Sequence, residues 1–348
     1  MPASSPAVAP ASPLPGFGDV LAAAARIAPH ARVTPVLRLP ALDAVAGCEL
    51  HFKCEQFQHG GAFKFRGACN AVFALDDEQA RRGVATHSSG NHGAALARAA
   101  RLRGIPCHVV VPEGAVAGKL AAIEAEGARL HRCAPTIAAR EAMCAAVQAE
   151  TGATLVHPYA DARVIAGQGT AALELLSAVP DLDAVLVPVG GGGLSAGTAI
   201  AAAALAPASQ VFGAEPAGAA ETLASLEAGK RITEFVPDTI CDGLRGTLGE
   251  INFVLLRELG VQVLAIDDAD TLAAQRLLLE RGKLLVEPSS AIALAAVLAQ
   301  REHFAGKRVG VILSGGNVDL GALPLAAAVR ATSLAPPPAA GPAPATAG

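Results

Sequence analysis

The chain has 348 residues, of which 52% are hydrophobic and 3% aromatic, and its formal net charge at pH 7 is −4. This length can bury a large core and corresponds to about two domains. A chain without a basic stripe or stacking aromatics lacks the features that bind nucleic acid, so we expect no such partner. The seven cysteines include no C-x-x-C pair, which argues against a disulfide framework and a thiolate zinc site.

Both ends of the chain are rich in alanine, proline, serine and glycine. Residues 1–16 and 333–348 contain too few large apolar side chains to offset the entropy of ordering, so we predict disordered tails. The first residues lack the features of a secretory signal or an organelle transit peptide, which predicts a cytoplasmic protein. The uncharged stretch between Asp183 and Glu215 is interrupted by glycines and prolines and predicts no membrane span.

Short apolar runs alternate with helix-like segments along the chain. The predicted strands are Leu50–Cys54, Cys107–Val111, Ala184–Val189, Val211–Ala214, Val261–Ile266 and Val309–Leu313. This order is typical of βαβ units, so we predict an α/β fold with mainly parallel sheets and helices on both faces. We predict a large domain from residues 17–74 and 158–332 and a small domain from 75–157. Ligands of such folds bind in the loops that follow the strands.

The first loop of interest places Lys64 in a turn rich in glycine and phenylalanine, before a helix predicted from Ala68 to Leu75. Apolar surroundings lower the pKa of an amine and make it a nucleophile toward an aldehyde. A lone lysine is more often a solvated surface charge. The next loop, Thr86–Gly93, concentrates hydroxyl, amide and imidazole groups, and a capping turn accounts for only one of them.

The clearest anion site is a tetraglycine loop between a predicted strand and an alanine-rich helix, residues 190–193. Backbone N–H groups and the helix dipole bind phosphate at such a junction, although a flexible turn is the alternative. The loop lacks the ending of a P-loop and the acidic residue of a dinucleotide fingerprint, so a nucleotide is not the obvious ligand. A last loop presents Ser314 at a strand end, where a turn and a site are equally plausible.

Taken together and in this order, these loops resemble those of the fold-type II pyridoxal-phosphate enzymes, in the serine/threonine dehydratase branch that includes serine racemase. The resemblance spans residues 18–325. The matching segments are Thr34–Leu37, Lys53–Glu55, Gly60–Ala68, Ser88–His92, Ala166–Thr170, Pro188–Ser195, Thr239–Gly243, Glu287–Ser290 and Leu313–Asp319. The resemblance implies a two-domain fold like that of tryptophan synthase β, pyridoxal phosphate as cofactor, an amino-acid substrate and a homodimer.

The resemblance also implies how the cofactor is held. Lys64 forms a Schiff base with it, Phe63 packs beside its ring, Asn91 contacts the ring hydroxyl and Ser314 meets the pyridine nitrogen. The residues implied for the phosphate are Gly190, Gly191, Gly192, Gly193 and Leu194. Because serine is neutral, it leaves the ring a weaker electron sink than an aspartate would, which favours β-elimination.

On the substrate side, the resemblance implies that Lys64 removes the Cα proton and that Ser89 is a second acid/base on the opposite face, as in serine racemase. Threonine dehydratases typically have alanine at that position, and a hydrogen bond or cap is the alternative role of Ser89. The implied substrate-binding residues are Ser88, Asn91, His92 and Arg140. An arginine on a helix is more often solvated, so Arg140 has a structural alternative.

A divalent-cation site is implied at Glu215, the Ala219 carbonyl and Glu221, which offer the oxygen ligands that Mg²⁺, Ca²⁺ or Mn²⁺ prefer. Relatives carry aspartate where this chain has Glu221, and a solvated helix start is the alternative. Ala94 replaces a glutamine that contacts ATP in the racemase, so we expect no nucleotide activation. The tail after Leu320 is too short for a regulatory domain, so we expect no isoleucine feedback.

We therefore expect a serine/threonine dehydratase that converts L-serine or L-threonine into a 2-oxo acid and ammonia, with serine racemase activity as an accompanying reaction. One alternative is a threo-3-hydroxyaspartate ammonia-lyase. The others are a β-replacement synthase of the same fold and a protein that binds pyridoxal phosphate without turnover.

Overall fold

The computed structural model describes residues 14–319, which form ten β-strands and fourteen α-helices. The strands are β1 Val36–Arg38, β2 Glu49–Cys54, β3 Val84–Thr86, β4 Cys107–Pro112, β5 Arg129–Cys133, β6 Thr154–Leu155, β7 Ala184–Pro188, β8 Gln210–Pro216, β9 Gln262–Ile266 and β10 Arg308–Leu313. The helices are α1 Phe17–Ile27, α2 Pro40–Ala46, α3 Lys64–Phe73, α4 Asp77–Arg82, α5 Asn91–Arg103, α6 Ala117–Ala125, α7 Ile137–Thr151, α8 Ala162–Ala178, α9 Gly193–Leu205, α10 Glu221–Ala228, α11 Glu250–Glu258, α12 Asp268–Glu280, α13 Pro288–Ala299 and α14 Arg301–Phe304.

The strands form two sheets. The first has six strands in the order β1-β2-β10-β7-β8-β9, and the second has four in the order β5-β4-β3-β6. All neighbouring strands are parallel except β1 and β2, which are antiparallel. The predicted α/β fold with mainly parallel sheets is confirmed, and each predicted strand is present within two residues of its expected bounds. The sequence patterns did not reveal β1, β5 and β6, which are edge strands of two to five residues.

Helices cover both faces of the six-stranded sheet, and the alternation along β7 shows how. Val185 and Val187 belong to the apolar cluster formed with α8 and α9, whereas Leu186 points to the cluster formed with α13. All three side chains are fully buried. A parallel strand buried on both sides is expected to be continuously apolar, which explains why β7 was recognisable from its sequence.

The strands of the four-stranded sheet all lie between residues 84 and 155, within the predicted small domain. The chain up to Asn317 nevertheless forms one compact unit, and a second unit begins at Val318, of which only Val318 and Asp319 are described. The division into a large and a small domain therefore stays a prediction. Most of the two predicted tails and the predicted end of the large domain, residues 320–332, lie outside the described residues.

Helix α3 begins at Lys64, four residues earlier than the sequence pattern predicted. The helix packs closely against α8, because a Cβ atom on Gly167 would lie 2.6 Å from the Cα atom of Gly67. Such close approach requires glycine on both helices. Among the described residues, no helix is both long enough and apolar enough to cross a membrane.

Candidate active site

A cavity of about 860 Å³ lies where the carboxyl ends of strands from both sheets face each other. The loops after β2, β3, β7 and β10 all reach it. The predicted cofactor and substrate residues that line this cavity are Phe63, Lys64, Ser88, Ser89, Asn91, His92, Arg140, Gly190, Gly191, Gly192, Gly193, Leu194 and Ser314. The structure thus brings together residues that are up to 251 positions apart in the sequence, from Phe63 to Ser314.

Lys64 is the first residue of α3, and the backbone before it is held by the end of β10. The Phe63 N–H donates to the Ser314 carbonyl at 2.9 Å, and Ala62 forms a bridge with Gly315. The Lys64 Nζ donates to the Pro158 carbonyl at 3.0 Å. Burial lowers the pKa of this amine to about 8, and the negative charge of Glu287 opposes that shift. A substantial fraction of the amine is therefore unprotonated near neutral pH.

A buried ionic cluster anchors α3 on the side away from the cavity. The Arg66 guanidinium contacts Glu55 at 2.7 Å and Glu174 at 2.6 Å, and Lys53 contacts Glu174 at 2.5 Å. The two cations balance the two carboxylates. Removing one partner of such a buried group typically costs about 3–5 kcal/mol, so the cluster keeps the start of α3 in place.

The tetraglycine loop is shaped by close contacts that exclude side chains. Gly192 has a φ of +88°, which favours glycine, and it precedes the first residue of α9. A Cβ atom on Gly191 would lie 2.3 Å from the ring of Tyr159. The Asn252 side chain donates to the Gly191 carbonyl at 2.5 Å and to the Tyr159 carbonyl at 3.1 Å. The loop is therefore a preformed backbone cradle at a helix N-terminus, which fits a phosphate group.

Asn91 begins α5 and takes part in a hydrogen-bond chain that crosses the cavity wall. Its Nδ2 donates to both carboxylate oxygens of Glu287, at 3.2 and 3.3 Å. Its Oδ1 accepts from the Nδ2 of Asn317 at 3.0 Å. We did not single out Glu287 as a site residue from the sequence, although it lies in one of the matching segments.

The remaining substrate-side residues differ in burial. Ser88 and Ser89 are partly exposed in the cavity. His92 is buried, its Nε2 lies 3.2 Å from the Val156 carbonyl, and burial holds its pKa well below the usual value. Arg140 lies near the start of α7 and lines the cavity, and its buried Nε has no hydrogen-bond partner among the described residues.

An aromatic group beside the tetraglycine loop was not predicted from the sequence. The rings of His87, His157 and Tyr159 line the cavity, with centroids 5.2 Å apart for the histidine pair and 4.6 Å for His157 and Tyr159. Burial lowers the pKa of His157 to about 4, so this imidazole is neutral at physiological pH. No sequence signal marked the group, because single histidines and tyrosines are more often core residues.

Two acidic residues of the predicted cation site are buried behind the tetraglycine loop. The Glu215 carboxylate accepts from the Thr222 and Leu223 N–H groups, and Glu221 accepts from the Leu248 N–H at 2.8 Å. Burial raises the pKa of both carboxyl groups, and the charge of Glu215 adds to the shift of Glu221, to about 8. This burial excludes the solvated helix start that was the alternative. The donor set fits a hard divalent cation, although the described residues contain no group of three or more side-chain ligands.

Comparison with known proteins agrees with this geometry. The family model for "Pyridoxal-phosphate dependent enzyme" matches residues 27–315. A β-hydroxyaspartate dehydratase from Paracoccus denitrificans (strain Pd 1222) is 48% identical over 89% of this chain and 99% of its own length. A serine racemase from Oryza sativa subsp. indica is 47% identical over 86% of this chain and 90% of its own.

Among solved structures, the threonine deaminase of T.th. is 43% identical, has a TM-score of 0.83, and is covered over 99% of its length by 88% of this chain. The family match extends over most of the chain and includes the Lys64 loop, the tetraglycine loop and Ser314. The chain therefore belongs to the family of pyridoxal-phosphate dependent enzymes.

Proposed function

We propose that this enzyme eliminates water from β-hydroxy amino acids, with L-serine and L-threonine as substrates, and that it also racemises serine. The observation that carries this proposal is the cavity in which the Lys64 amine faces the tetraglycine loop, Asn91 and Ser89. The named activities of the dehydratase, racemase and deaminase relatives support it.

The residues proposed to hold the cofactor are Lys64, Phe63, Asn91, Gly190, Gly191, Gly192, Gly193, Leu194 and Ser314. When bound, the cofactor supplies an electron sink for the charge that develops at the substrate Cα. The tetraglycine backbone and the N-terminus of α9 bind its phosphate. The Ser314 hydroxyl provides a neutral partner for the ring nitrogen, so the site adds no negative charge there.

Lys64 is the proposed base that removes the Cα proton, and its pKa of about 8 suits proton transfer near neutral pH. The Cα–H and Cβ–O bonds break, and the hydroxyl group leaves with a proton as water. One water molecule then releases ammonia and leaves the 2-oxo acid. Ser89 belongs to the loop after β3, whereas Lys64 follows β2 of the other sheet. Ser89 is therefore the proposed donor of a proton to the opposite face of Cα, which inverts the substrate.

A second candidate substrate is threo-3-hydroxyaspartate, and Arg140 is the observation that favours it. The Arg140 guanidinium lines the cavity, and its Nε has no partner among the described residues, so a second substrate carboxylate can pair with it. We expect Arg140→Leu to lower kcat/KM for 3-hydroxyaspartate by about 30-fold or more and that for serine much less. Equal losses for both substrates would contradict this assignment.

The test of the proposed function is a 2-oxo acid assay with the L- and D-forms of serine, threonine and threo-3-hydroxyaspartate, followed by chiral analysis of the remaining substrate. We expect 2-oxo acid from the L-forms and D-serine from L-serine. If no substrate gives 2-oxo acid while the cofactor is bound, the protein is a non-catalytic binder. Fast cysteine formation from O-acetylserine and sulfide would instead identify a β-replacement synthase.

Glu215, the Ala219 carbonyl and Glu221 are the proposed ligands of Mg²⁺ or a similar divalent cation. Glu221 also binds the Leu248 N–H, and Leu248 lies against Gly192, since a Cβ atom there would be 2.6 Å from Leu248 Cδ1. The cation would thus neutralise two buried carboxylates and support the tetraglycine loop. The homodimer and the cytoplasmic location stay predictions, which sedimentation and cell fractionation would test.

A further inference from the structure

We infer that Glu287 is a positioning residue that holds the Asn91 amide in a single orientation for cofactor binding. The inference rests on the role proposed above for Asn91. It assigns a function to a buried acid in the cavity that neither Lys64 chemistry nor the substrate side uses.

The hydrogen-bond chain through Asn91 has a defined direction. The Asn317 Nδ2 donates to the Gly60 carbonyl at 2.6 Å and to the Asn91 Oδ1 at 3.0 Å. A backbone carbonyl only accepts, so this end of the chain orients the Asn317 amide, and Asn317 in turn orients Asn91. At the other end an ionised carboxylate also only accepts, so Glu287 requires the Nδ2 of Asn91 to face it. Both ends therefore select the same orientation of Asn91.

Glu287 has no evident role in stabilising its own helix. It occupies the N-cap position of α13, but its side chain makes no capping hydrogen bond. Its side chain is instead turned toward the cavity, where the other acidic lining residues, Glu141, Asp242 and Glu250, are exposed. Glu287 is only 6% exposed, and burying a carboxylate is costly unless a specific interaction compensates for it. The contact with Asn91 is such an interaction.

The charge of Glu287 depends on its surroundings. The groups that face it are Lys64 of α3, Asn91 of α5, Lys119 of α6, Cys241 and Asp242 in the segment before α11, and the Asn317 backbone N–H. Burial raises the pKa of Glu287 to about 7, while the Asn91 hydrogen bond opposes the shift. The carboxylate is thus the stronger acceptor above pH 7 and gains a proton below it, so we expect cofactor affinity to rise from pH 6 to pH 8.

Cofactor affinity of the full-length apoprotein is the readout, and the chain offers an internal probe for it. Tyr159 is the single tyrosine, the chain has no tryptophan, and the Tyr159 ring lines the cavity. Added pyridoxal phosphate should quench Tyr159 emission, and the titration gives a dissociation constant. We expect Glu287→Ala to weaken binding about tenfold or more and Glu287→Gln, which keeps an acceptor oxygen, by less than about threefold. Glu124→Gln, at an exposed position of α6 outside the cavity, is the matched control.

A double-mutant cycle separates positioning from a general structural role. If Glu287 acts through Asn91, Glu287→Ala should have no further effect on cofactor affinity once Asn91→Ala is present. Additive losses, or full affinity in Glu287→Ala, would overturn the inference. Should Glu287→Ala not fold, the decisive comparison is Glu287→Gln, whose affinity should no longer rise from pH 6 to 8 more than the cofactor's own titration causes. A rise equal to that of the wild type would overturn the inference too. Because both readouts measure cofactor binding, they do not depend on which amino acid is the substrate.

Discussion

The cavity has two walls that differ in burial. The glycine wall comprises Lys64, residues 190–194 and Ser314, and it follows strands of the six-stranded sheet. The serine wall comprises Ser88, Ser89 and Arg140, and it follows strands of the four-stranded sheet. Ser314 is 3% exposed and the glycine backbone is held by buried contacts, whereas all three side chains of the serine wall are partly exposed.

The difference indicates a division of labour between the walls. A buried wall whose backbone is fixed by packing suits a ligand part that never changes, since preorganisation requires rigid support. A partly exposed wall suits contact with a substrate that enters and leaves. We therefore expect changes in the glycine wall to remove the cofactor or the chemistry, and changes in the serine wall to alter the outcome of the reaction.

The largest effect should follow Lys64→Ala in the glycine wall. The variant lacks both the attachment amine and the proposed base, so elimination should fall by at least about 10³-fold. The visible absorption of bound cofactor and its reduction by borohydride should disappear as well. Lys230→Ala, at an exposed lysine, should retain both. An unchanged spectrum in Lys64→Ala would contradict the assignment of Lys64.

Ser89→Ala probes the serine wall. We expect racemisation of serine to fall about 100-fold because the second acid/base is lost, while elimination stays within about threefold. Chiral analysis and the 2-oxo acid assay measure the two reactions in one sample. Ser88→Ala, next to it, should raise KM for both reactions without this selectivity. If Ser89→Ala lowers both reactions equally, Ser89 has a structural role and the two walls are less distinct than proposed.

Gly191→Ala tests whether the glycine wall is as rigid as its packing indicates. The added Cβ would lie 2.3 Å from the Tyr159 ring, and such overpacking costs about 1–3 kcal/mol, which corresponds to about tenfold weaker cofactor binding. Equilibrium dialysis with pyridoxal phosphate measures it. Gly118→Ala in α6 is the control, because nothing lies within 4 Å of its added Cβ. Equal affinity in both variants would show that the loop adapts.

The smallest effect concerns the carboxylate pair behind the glycine wall. The pKa of Glu221 is raised to about 8 in the folded protein, so the folded state binds more protons than the unfolded chain between about pH 4.5 and pH 8. Without divalent cations, stability should therefore fall as the pH rises through that range. Mg²⁺ should raise the melting temperature by about 2–4 °C, more at pH 8 than at pH 6, because it competes with the proton.

Glu221→Gln is the variant that isolates this effect. It removes one carboxylate of the pair, so both the pH dependence and the gain with Mg²⁺ should decrease. A gain with Mg²⁺ that is equal in the variant and the wild type would place the cation elsewhere.

The strands that position the active site were predictable because a parallel strand buried on both faces leaves a continuous apolar run in the sequence. The edge strands β5 and β6 were not, since β5 carries polar and charged residues and β6 has only two residues. Lys64 was identified, but its place on the first turn of α3 was not. The residues before α3 are held by backbone contacts with Ser314 and Gly315, which no local pattern contains.

The sequence by itself determined the fold class, the cofactor family and the order of the four loops, because each of these depends on residue types at short spacing. Only the tertiary structure decided which groups meet. Asn91 and Glu287 are 196 positions apart, yet they share a hydrogen bond, and Tyr159 fills the space that makes Gly191 necessary. These contacts form because the two sheets bring their carboxyl ends to one cavity, and that proximity is a property of the folded chain alone.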